Sequence, residues 1–277
     1  MKKIFNNSIK NQISQYAFNG NISGIITILE NFLQGVTEIK TMTNEYFMLK
    51  FLNWLKYGGK LPHAVFTIGN VKLPFLSFST LPGVTCPGAG NCLDYCYSFK
   101  AWRQPAAYFR QVQNTLLMHD FKTIETEFIK EISRKKFNNL DKIDFRLYVD
   151  GDFSSIKDLK NWVQLLKNTP KINAYGYSKS LNLFLQLHDS GYKFPSNYVL
   201  NLSNGGKFDS LRHILKDLYF VRGNFTAVKV LPGEKIRDKF NSKIFICPGK
   251  CGSCTAIGHA CGNLDKFNNM EIVIPVH

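Results

Sequence analysis

The chain has 277 residues, of which 44% are hydrophobic and 14% aromatic, and it carries a formal net charge of +15. This length fits one large α/β domain or two small ones, and the apolar content argues against intrinsic disorder. The start MKKIFNNSIKNQ has no apolar run of signal-peptide length, and no apolar stretch is long enough to cross a membrane. We therefore expect a non-exported, cytoplasmic protein with no membrane partner.

The predicted elements divide the chain into three regions. Residues 1–72 are expected to form an N-terminal helical region, with amphipathic patterns at 22–33 and 44–57. Residues 73–245 are expected to form an α/β core, and residues 246–277 a small cysteine-rich, metal-binding C-terminal lobe. Predicted strands lie at 65–70, 73–80, 144–152, 172–180, 197–204 and, more weakly, 219–228, and predicted helices at 106–136, 156–168, 181–191 and 210–218.

Strands that alternate with helices predict parallel strands joined by crossover helices. The predicted fold class is therefore α/β, with a partial (β/α) barrel-like parallel sheet. In such folds the functional site lies at the carboxyl ends of the strands.

All seven cysteines fall into two groups, and none occurs from residue 97 to residue 246. In a reducing compartment, clustered thiols favour metal binding over disulfides. Four thiolates close a tetrahedral zinc site or hold a [4Fe-4S] cluster, whereas three thiolates on such a cluster leave one iron open. The predicted metal ligands are Cys86, Cys92 and Cys96 in the first group and Cys247, Cys251, Cys254 and Cys261 in the second.

The first group, TCPGAGNCLDYCYS, directly follows a predicted strand. Its glycines and proline allow a short loop to turn three thiols toward one point. Tyr95 and Tyr97 flank the last cysteine and could shield a cluster from solvent. The alternatives are a structural zinc site completed by a histidine or a distant cysteine, and unliganded thiols.

The second group, CPGKCGSCTAIGHAC, fits either zinc or an iron–sulfur cluster. His259 lies inside it and could replace a cysteine, although four thiolates already suffice. The two groups could also meet at one site and leave some thiols without a metal.

Polar residues at two strand ends are the predicted cofactor-binding residues. Asp150, Gly151 and Asp152 could bind an amine, a ribose hydroxyl or a metal ion, or simply cap the next helix. Ser178 and Lys179 could meet a carboxylate or phosphate, or be solvated turn residues. No catalytic residue is assigned. Weaker candidates for the same rim are Asn201, Ser203, Asn204, Arg103 and Arg110.

The three-cysteine loop resembles the cluster loop of radical S-adenosylmethionine enzymes, although its C-x5-C-x3-C spacing departs from their usual C-x3-C-x2-C. The resemblance implies that the three thiolates hold a [4Fe-4S] cluster whose open iron binds S-adenosylmethionine. It also implies that Gly151 and Asp152 hold the amine of this cofactor, with Ser178 and Lys179 nearby. Many members of that superfamily carry an auxiliary four-cysteine cluster in a C-terminal lobe, as the second group here would.

The chain is also similar to a phage and plasmid family called gene product eighty-eight. The shared features are the CPG…C…CY loop, R-x-x-x-x-GDF from Arg146 to Phe153, Trp162, a Y-x-K-S strand end and the C-terminal cysteine group. This likeness covers roughly residues 73–265 and names no reaction. It implies a location in the host cytoplasm if the protein is phage-encoded.

Three functions fit these observations. The first is a radical S-adenosylmethionine-like enzyme with one or two [4Fe-4S] clusters and an external one-electron reductant, acting on a nucleic acid or nucleotide. The second is a nucleic-acid-binding metalloprotein with structural zinc or iron–sulfur centres, acting in mobile-element replication or regulation. The third is a redox sensor. The charge of +15 suits a polyanionic partner, but a lysine-rich composition from an AT-rich genome would also explain it.

Overall fold

The computed structural model describes residues 5–69, 73–255 and 258–276. Helices form the N-terminal part, and strands and helices share the remainder. Within these residues the helices are α1 (Asn7–Phe18), α2 (Ile22–Leu33), α3 (Asn44–Tyr57), α4 (Pro105–Leu117), α5 (Phe121–Ile132), α6 (Ile156–Lys167), α7 (Leu181–Asp189), α8 (Arg212–Leu215), α9 (Cys251–Thr255) and α10 (Leu264–Phe267). The strands are β1 (Thr67–Ile68), β2 (Leu76–Ser77), β3 (Ile143–Leu147), β4 (Ile172–Ser178), β5 (Tyr198–Ser203), β6 (Val221–Val228), β7 (Ile244–Ile246) and β8 (Glu271–Pro275).

These strands form one open sheet in the order β1-β2-β3-β4-β5-β6-β8-β7. β1 pairs with β2 in antiparallel fashion, and every other neighbouring pair is parallel. From β2 to β6, consecutive strands in the chain are also neighbours in the sheet, as in a barrel that has not closed. The predicted α/β fold with a mostly parallel, partial barrel-like sheet is confirmed.

The outer face of the sheet, which carries Ile143, Phe145 and Leu147 of β3, packs against helices α5 to α7. Successive side chains of a strand alternate between the two faces, so these three share one side. They join a buried cluster around Trp162 of α6. The Ser155 hydroxyl starts α6 by accepting a hydrogen bond from the Asp158 amide (3.1 Å). This packing leaves the carboxyl ends of the strands and the opposite face available for a site.

The N-terminal helices share their core with α4 rather than forming one of their own. Phe51 of α3 and Phe109 of α4 are fully buried in the same cluster, with ring centroids 5.4 Å apart. The Lys10 ammonium of α1 donates to the Trp102 carbonyl (2.7 Å), just beyond the first cysteine group. The division into three regions stays a prediction. In the described ranges no helix is both long and apolar enough to span a membrane.

Two helical predictions match the observed bounds, and a third is wrong. α2 and α3 begin and end where the amphipathic patterns predict them. The single helix predicted over 106–136 is two helices, because Asp120 leaves helical geometry (φ −125°, ψ 72°). The Asp120 carboxylate accepts a hydrogen bond from the Thr123 hydroxyl (2.6 Å) in the turn where α5 starts. The continuous helical periodicity of the sequence gives no indication of this turn.

The strand predicted over 144–152 is also shorter than expected. β3 ends at Leu147 because Tyr148 takes a left-handed conformation (φ 55°). Hydrogen bonds from the Tyr148 hydroxyl to Asp158 and from the Trp162 indole to Tyr148 (3.1 Å) hold that turn. Residues 148–152 therefore form a loop at the carboxyl edge.

The C-terminal region is more ordered than its loop-rich composition predicts. β8 inserts between β6 and β7, so the tail supplies an interior strand of the sheet. The short apolar run EIVIP is the sequence signal for this strand. The cysteine-rich segment between β7 and β8 is thereby anchored at both ends.

Candidate functional site

The inner face of the sheet, opposite the helices, is unusually polar for the interior of an α/β protein. It carries Arg146 of β3, Tyr175 and Tyr177 of β4, Asn201 of β5 and Arg222 of β6, which alternate with residues of the outer core. The register pairs Arg146 with Tyr175 and Tyr177 with Asn201. Charged and hydrogen-bonding groups are therefore gathered in one place, where an ordinary sheet would carry aliphatic side chains.

The first cysteine group lies across the carboxyl ends of several strands, where the sequence predicts it. The Cys92 amide donates to the Gly205 carbonyl beyond β5 (3.0 Å), and the Lys207 amide donates to the Gly88 carbonyl (2.9 Å). Ala89 and Gly206 form an isolated antiparallel bridge. This loop is thus fixed by main-chain hydrogen bonds and not by its own turns alone.

Two glycines allow this loop to approach the strand ends closely. A β-carbon on Gly88 would overlap the backbone carbonyl of Lys179. A β-carbon on Gly151 would overlap the Thr80 hydroxyl, and Gly151 also has a left-handed φ of 83°. Gly151 therefore has a local role in packing, and its predicted contact with a cofactor stays a prediction.

The thiols of the first group are unpaired and only partly buried. Burial raises the pKa of the Cys86 thiol to about 12, and the charges of Asp152 and Cys96 add to this effect. At neutral pH the metal-free Cys86 is therefore a thiol. A thiolate there would need a cation close by.

Asp152 joins the end of β3 to the end of β4 through a fully engaged carboxylate. The residue is 4% exposed. The five donors to its two oxygens are the Phe153 amide (2.8 Å), the Ser178 hydroxyl (2.7 Å), the Lys179 amide (2.8 Å), the Ser180 amide (3.1 Å) and the Ser180 hydroxyl (3.1 Å). The carboxylate has enough partners without a ligand, and its predicted binding of a cofactor amine stays a prediction.

The other predicted cofactor-binding residues lie around Asp152. The Asp150 carboxylate accepts the Gln111 side-chain amide (3.0 Å), and burial raises its pKa. Arg110 and Arg146 act in the opposite direction on the Asp150 pKa. The Lys179 ammonium donates to the Ser203 hydroxyl (2.7 Å) at the adjoining strand end.

The second cysteine group covers the inner face of the sheet. Cys254 and Cys261 are buried there in a cluster with Phe75 and Tyr175. The Asn201 side-chain amide donates to the Cys261 carbonyl (2.9 Å), which attaches the segment to β5. The first group therefore lies along the strand ends, and the second lies on the adjoining face.

Several groups of the protein contact the sulfurs of the second group. The Gly249 amide donates to Cys247 Sγ (3.4 Å), and the Ala260 amide donates to Cys254 Sγ (3.3 Å). Burial raises the pKa of Cys261 to about 12. Amide donors of this kind stabilise negative charge on sulfur.

Arg146 connects the two cysteine groups. Its guanidinium donates to the Tyr97 hydroxyl (3.3 Å), one residue beyond Cys96, and lies 4.9 Å from the centre of the Tyr177 ring. Tyr177 in turn packs against the buried cluster of the second group, as Cys247 and Cys251 do. Arg146 thus lies between the two groups, although in this structure no three His, Cys, Asp or Glu side chains of the described chain form a group that could hold a metal ion.

His259 is directed away from the sulfurs, toward the amino ends of the strands. Its ring packs between Phe75 and Tyr175, with centroid distances of 4.6 and 4.5 Å. Its Nδ1 lies 3.7 Å from the Asp144 carboxylate. This contact favours the interpretation that His259 is a bystander to the cysteine group.

Comparison with known proteins places the chain in a family. The family model described as Gene product 88 matches residues 49–261, which include both cysteine groups. The chain belongs to the Gene product 88 family. The Gene 88 protein of Mycobacterium phage L5 is 24% identical in an alignment of length 214, and the match covers 67% of this chain and 85% of that protein. No solved structure matches the chain.

The predicted likeness to the Gene product 88 family is confirmed, and the likeness to radical S-adenosylmethionine enzymes has no support among the comparisons. The matched region of this Gene product 88 protein also contains two arginines whose role the sequence did not suggest, Arg146 and Arg222. Their signal is a charged residue inside an apolar alternation, as in IDFRL of β3. The predicted metal ligands, the predicted cofactor-binding residues and the weaker candidates at the rim all stay predictions.

Proposed function

We propose that this Gene product 88 protein is an iron–sulfur protein with two cysteine-ligated centres. Cys86, Cys92 and Cys96 would hold one centre at the strand ends, and the four cysteines of the tail would hold the other on the inner face. The observation that carries the proposal is that all seven thiols are free and that Arg146 lies between the two groups, in contact with Tyr97 beside Cys96 and with Tyr177 beside the tail cysteines.

The donor set fits clusters chemically. Thiolates are the ligands that iron–sulfur clusters and zinc both prefer, and a group of three beside a group of four suits one open and one closed centre. Amide donors to Cys247 and Cys254 provide the surroundings that such sulfurs require. A cluster bound by three cysteines would supply one-electron chemistry and an iron position open to a ligand.

The enzymatic form of this proposal is reductive cleavage of S-adenosylmethionine. The residues that would surround the cofactor at the strand ends are Asp150 and Lys179, because their side chains have fewer partners than the Asp152 carboxylate, which accepts five hydrogen bonds. Their part would be to orient the cofactor and to exclude water. Its test is the appearance of deoxyadenosine when reduced protein is given S-adenosylmethionine, and an absence of that product from iron-loaded protein would contradict this form alone.

Metal content after oxygen-free purification tests the main proposal. We expect about eight irons and eight sulfides per chain, four for each cubane cluster. Cys92→Ser and Cys254→Ser should each remove about half of the iron, whereas the neighbouring Ser253→Ala should retain all of it. A folded protein that binds neither iron nor sulfide would refute the proposal, and two bound zinc ions would support the structural alternative.

The alternative function is nucleic-acid binding with structural centres, and the net charge of +15 favours it. Phosphate contacts by lysine and arginine release counterions, so affinity should fall steeply between 50 and 200 mM salt, by roughly a thousandfold for six contacts. Fluorescence anisotropy with a double-stranded oligonucleotide at both salt concentrations measures this. An oligonucleotide affinity that does not change with salt would contradict it.

A further inference from the structure

Among the described residues, no carboxylate is hydrogen-bonded to either of two guanidinium groups on the inner face. Arg222 is fully buried, and its partners are neutral oxygens: Asn201 Oδ1 (2.7 Å), the Asn224 carbonyl (2.7 Å) and the Met270 carbonyl. Arginine keeps its proton in proteins, so this positive charge cannot be lost on burial. A buried charge without a counter-charge is strongly destabilising.

Arg146 presents the same problem in a more open position. Its Nε is buried and has no hydrogen-bond partner in the described part of the chain. Among the described residues, its terminal nitrogens donate to the Tyr97 hydroxyl alone (3.3 Å), and the guanidinium also lies over the Tyr177 ring. The Arg146 guanidinium therefore has hydrogen-bond donors left without acceptors, and its planar fork of donors has the geometry to bind an anion.

The carboxylates nearest these arginines are bonded to other side chains. The negative charge of Glu271 favours the charged form of Arg222. Its oxygens, however, accept hydrogen bonds from Asn224 (3.2 Å) and Thr226, and one of them lies 3.6 Å from Arg212. Asp150 interacts with Arg146 only through its charge, and its carboxylate accepts a hydrogen bond from the Gln111 side-chain amide. Neither carboxylate forms an ion pair with Arg146 or Arg222 within 4.0 Å among the residues described.

The tail cysteines also lie close to both arginines. Asn201 binds Arg222 through its oxygen and the Cys261 carbonyl through its nitrogen, so it holds that guanidinium beside the cysteine. The Arg146 guanidinium lies 4.9 Å from the centre of the Tyr177 ring, which packs against the buried cluster that contains Cys254 and Cys261. Both positive charges thus border the second group.

We propose that Arg146 and Arg222 are the counter-charges of an anionic metal–thiolate centre formed by Cys247, Cys251, Cys254 and Cys261. The inference rests on the proposed function and assigns the polar inner face to it. When one divalent ion binds, four sulfur–hydrogen bonds break, four protons pass to solvent and four metal–sulfur bonds form. The centre becomes doubly negative, and the two guanidinium groups offset that charge.

Titration of reduced, metal-free, full-length protein with Co²⁺ tests this, because thiolate-to-cobalt absorption reports coordination by sulfur. Loss of the signal in Cys254→Ser assigns it to the tail group. Arg146→Gln and Arg222→Gln should each weaken the Co²⁺ affinity of this site about tenfold, while Arg146→Lys, which keeps the charge, should restore most of it.

Arg212→Gln is the matched control, since Arg212 already pairs with Glu271 and should leave the Co²⁺ affinity unchanged. Arg222 is deeply buried and its glutamine variant could misfold, whereas Arg146 is only partly buried and keeps the test decisive. The inference would be overturned if Arg146→Gln bound Co²⁺ as tightly as the wild-type protein, or if Arg146→Gln and Arg146→Lys lost the same Co²⁺ affinity. Either result would leave the proposed four-cysteine centre standing. A wild-type protein without the cobalt–thiolate signal would overturn the proposed four-cysteine centre as well.

Discussion

Replacing Asp152 by alanine should destabilise the carboxyl edge of the sheet more than any exposed aspartate substitution would. Its carboxylate accepts five hydrogen bonds, and three of them come from main-chain amides. Hydrogen bonds to a charged group contribute more than neutral ones. Among the described residues the Lys179 amide has no other acceptor, so it would lose its partner at a part-buried position.

The magnitude follows from the groups left behind. A buried amide without an acceptor costs about 1–3 kcal/mol, and the rotatable hydroxyls of Ser178 and Ser180 lose a charged partner as well. Removing Asp152 also relieves the burial that raises its pKa, which offsets part of the loss. We expect the free energy of unfolding to fall by about 3 kcal/mol. Asp152→Asn should lose a similar amount, because an amide turns one acceptor into a donor facing donors.

Urea unfolding of the metal-free protein, followed by circular dichroism, measures this free energy. The control is Asp189→Asn at an exposed site, where a change within about 0.5 kcal/mol is expected. Asp152→Ala combined with Ser178→Ala should lose less than the sum of the single losses, since the two residues share a bond. A loss below 1 kcal/mol for Asp152→Ala would refute the reasoning.

Three further predictions concern pH, loop packing and the thiols. Burial raises the pKa of Asp158 to about 7, against roughly 3.9 in the unfolded chain. The folded protein therefore binds a proton that the unfolded chain releases, and the free energy of unfolding should fall as pH rises from about 4 to 7. Urea unfolding across this range measures the slope, and Asp158→Asn should flatten it. Gly88→Ala should displace the first cysteine loop and cost more than about 2 kcal/mol, whereas Gly59→Ala, in open space at φ 84°, should cost about 1 kcal/mol in thermal unfolding. Alkylation of denatured, metal-free protein without reductant should label seven cysteines by mass, and fewer labels would reveal disulfides.

The fold was largely predictable because local patterns and packing agree in most of the chain. Amphipathic periods located α2 and α3, and alternating strands and helices indicated the parallel sheet. The errors lie where tertiary contacts override local propensity. The left-handed turn at Tyr148 depends on a hydrogen bond to Asp158, ten residues away, and no local pattern indicates it.

The cysteines and the strand-end residues were predictable by type, but their partners were not. Spacing alone separates the seven thiols into two groups, yet it does not indicate that the tail group covers the inner face of the sheet. The insertion of β8 between β6 and β7 decides that placement. The role of Arg222 was not predictable for a similar reason: its hydrogen-bond partners Asn201 and Met270 lie 21 and 48 residues away in the sequence.

The two cysteine groups differ in how the protein supports them, and this difference bears on their roles. The first is held by main-chain bonds to the loop after β5 and by close packing of Gly88 on Lys179, so its shape is set by the sheet. The second depends on hydrogen bonds within its own segment, from Cys254 to Lys250 and from His259 to Cys254, and on its attachment through Asn201. A rigid three-cysteine loop at the strand ends suits a centre that must present an open position to a ligand. A four-cysteine segment beside Arg146 and Arg222, its proposed counter-charges, would suit a closed centre whose binding free energy also orders the tail, because metal binding and local folding would then be one equilibrium.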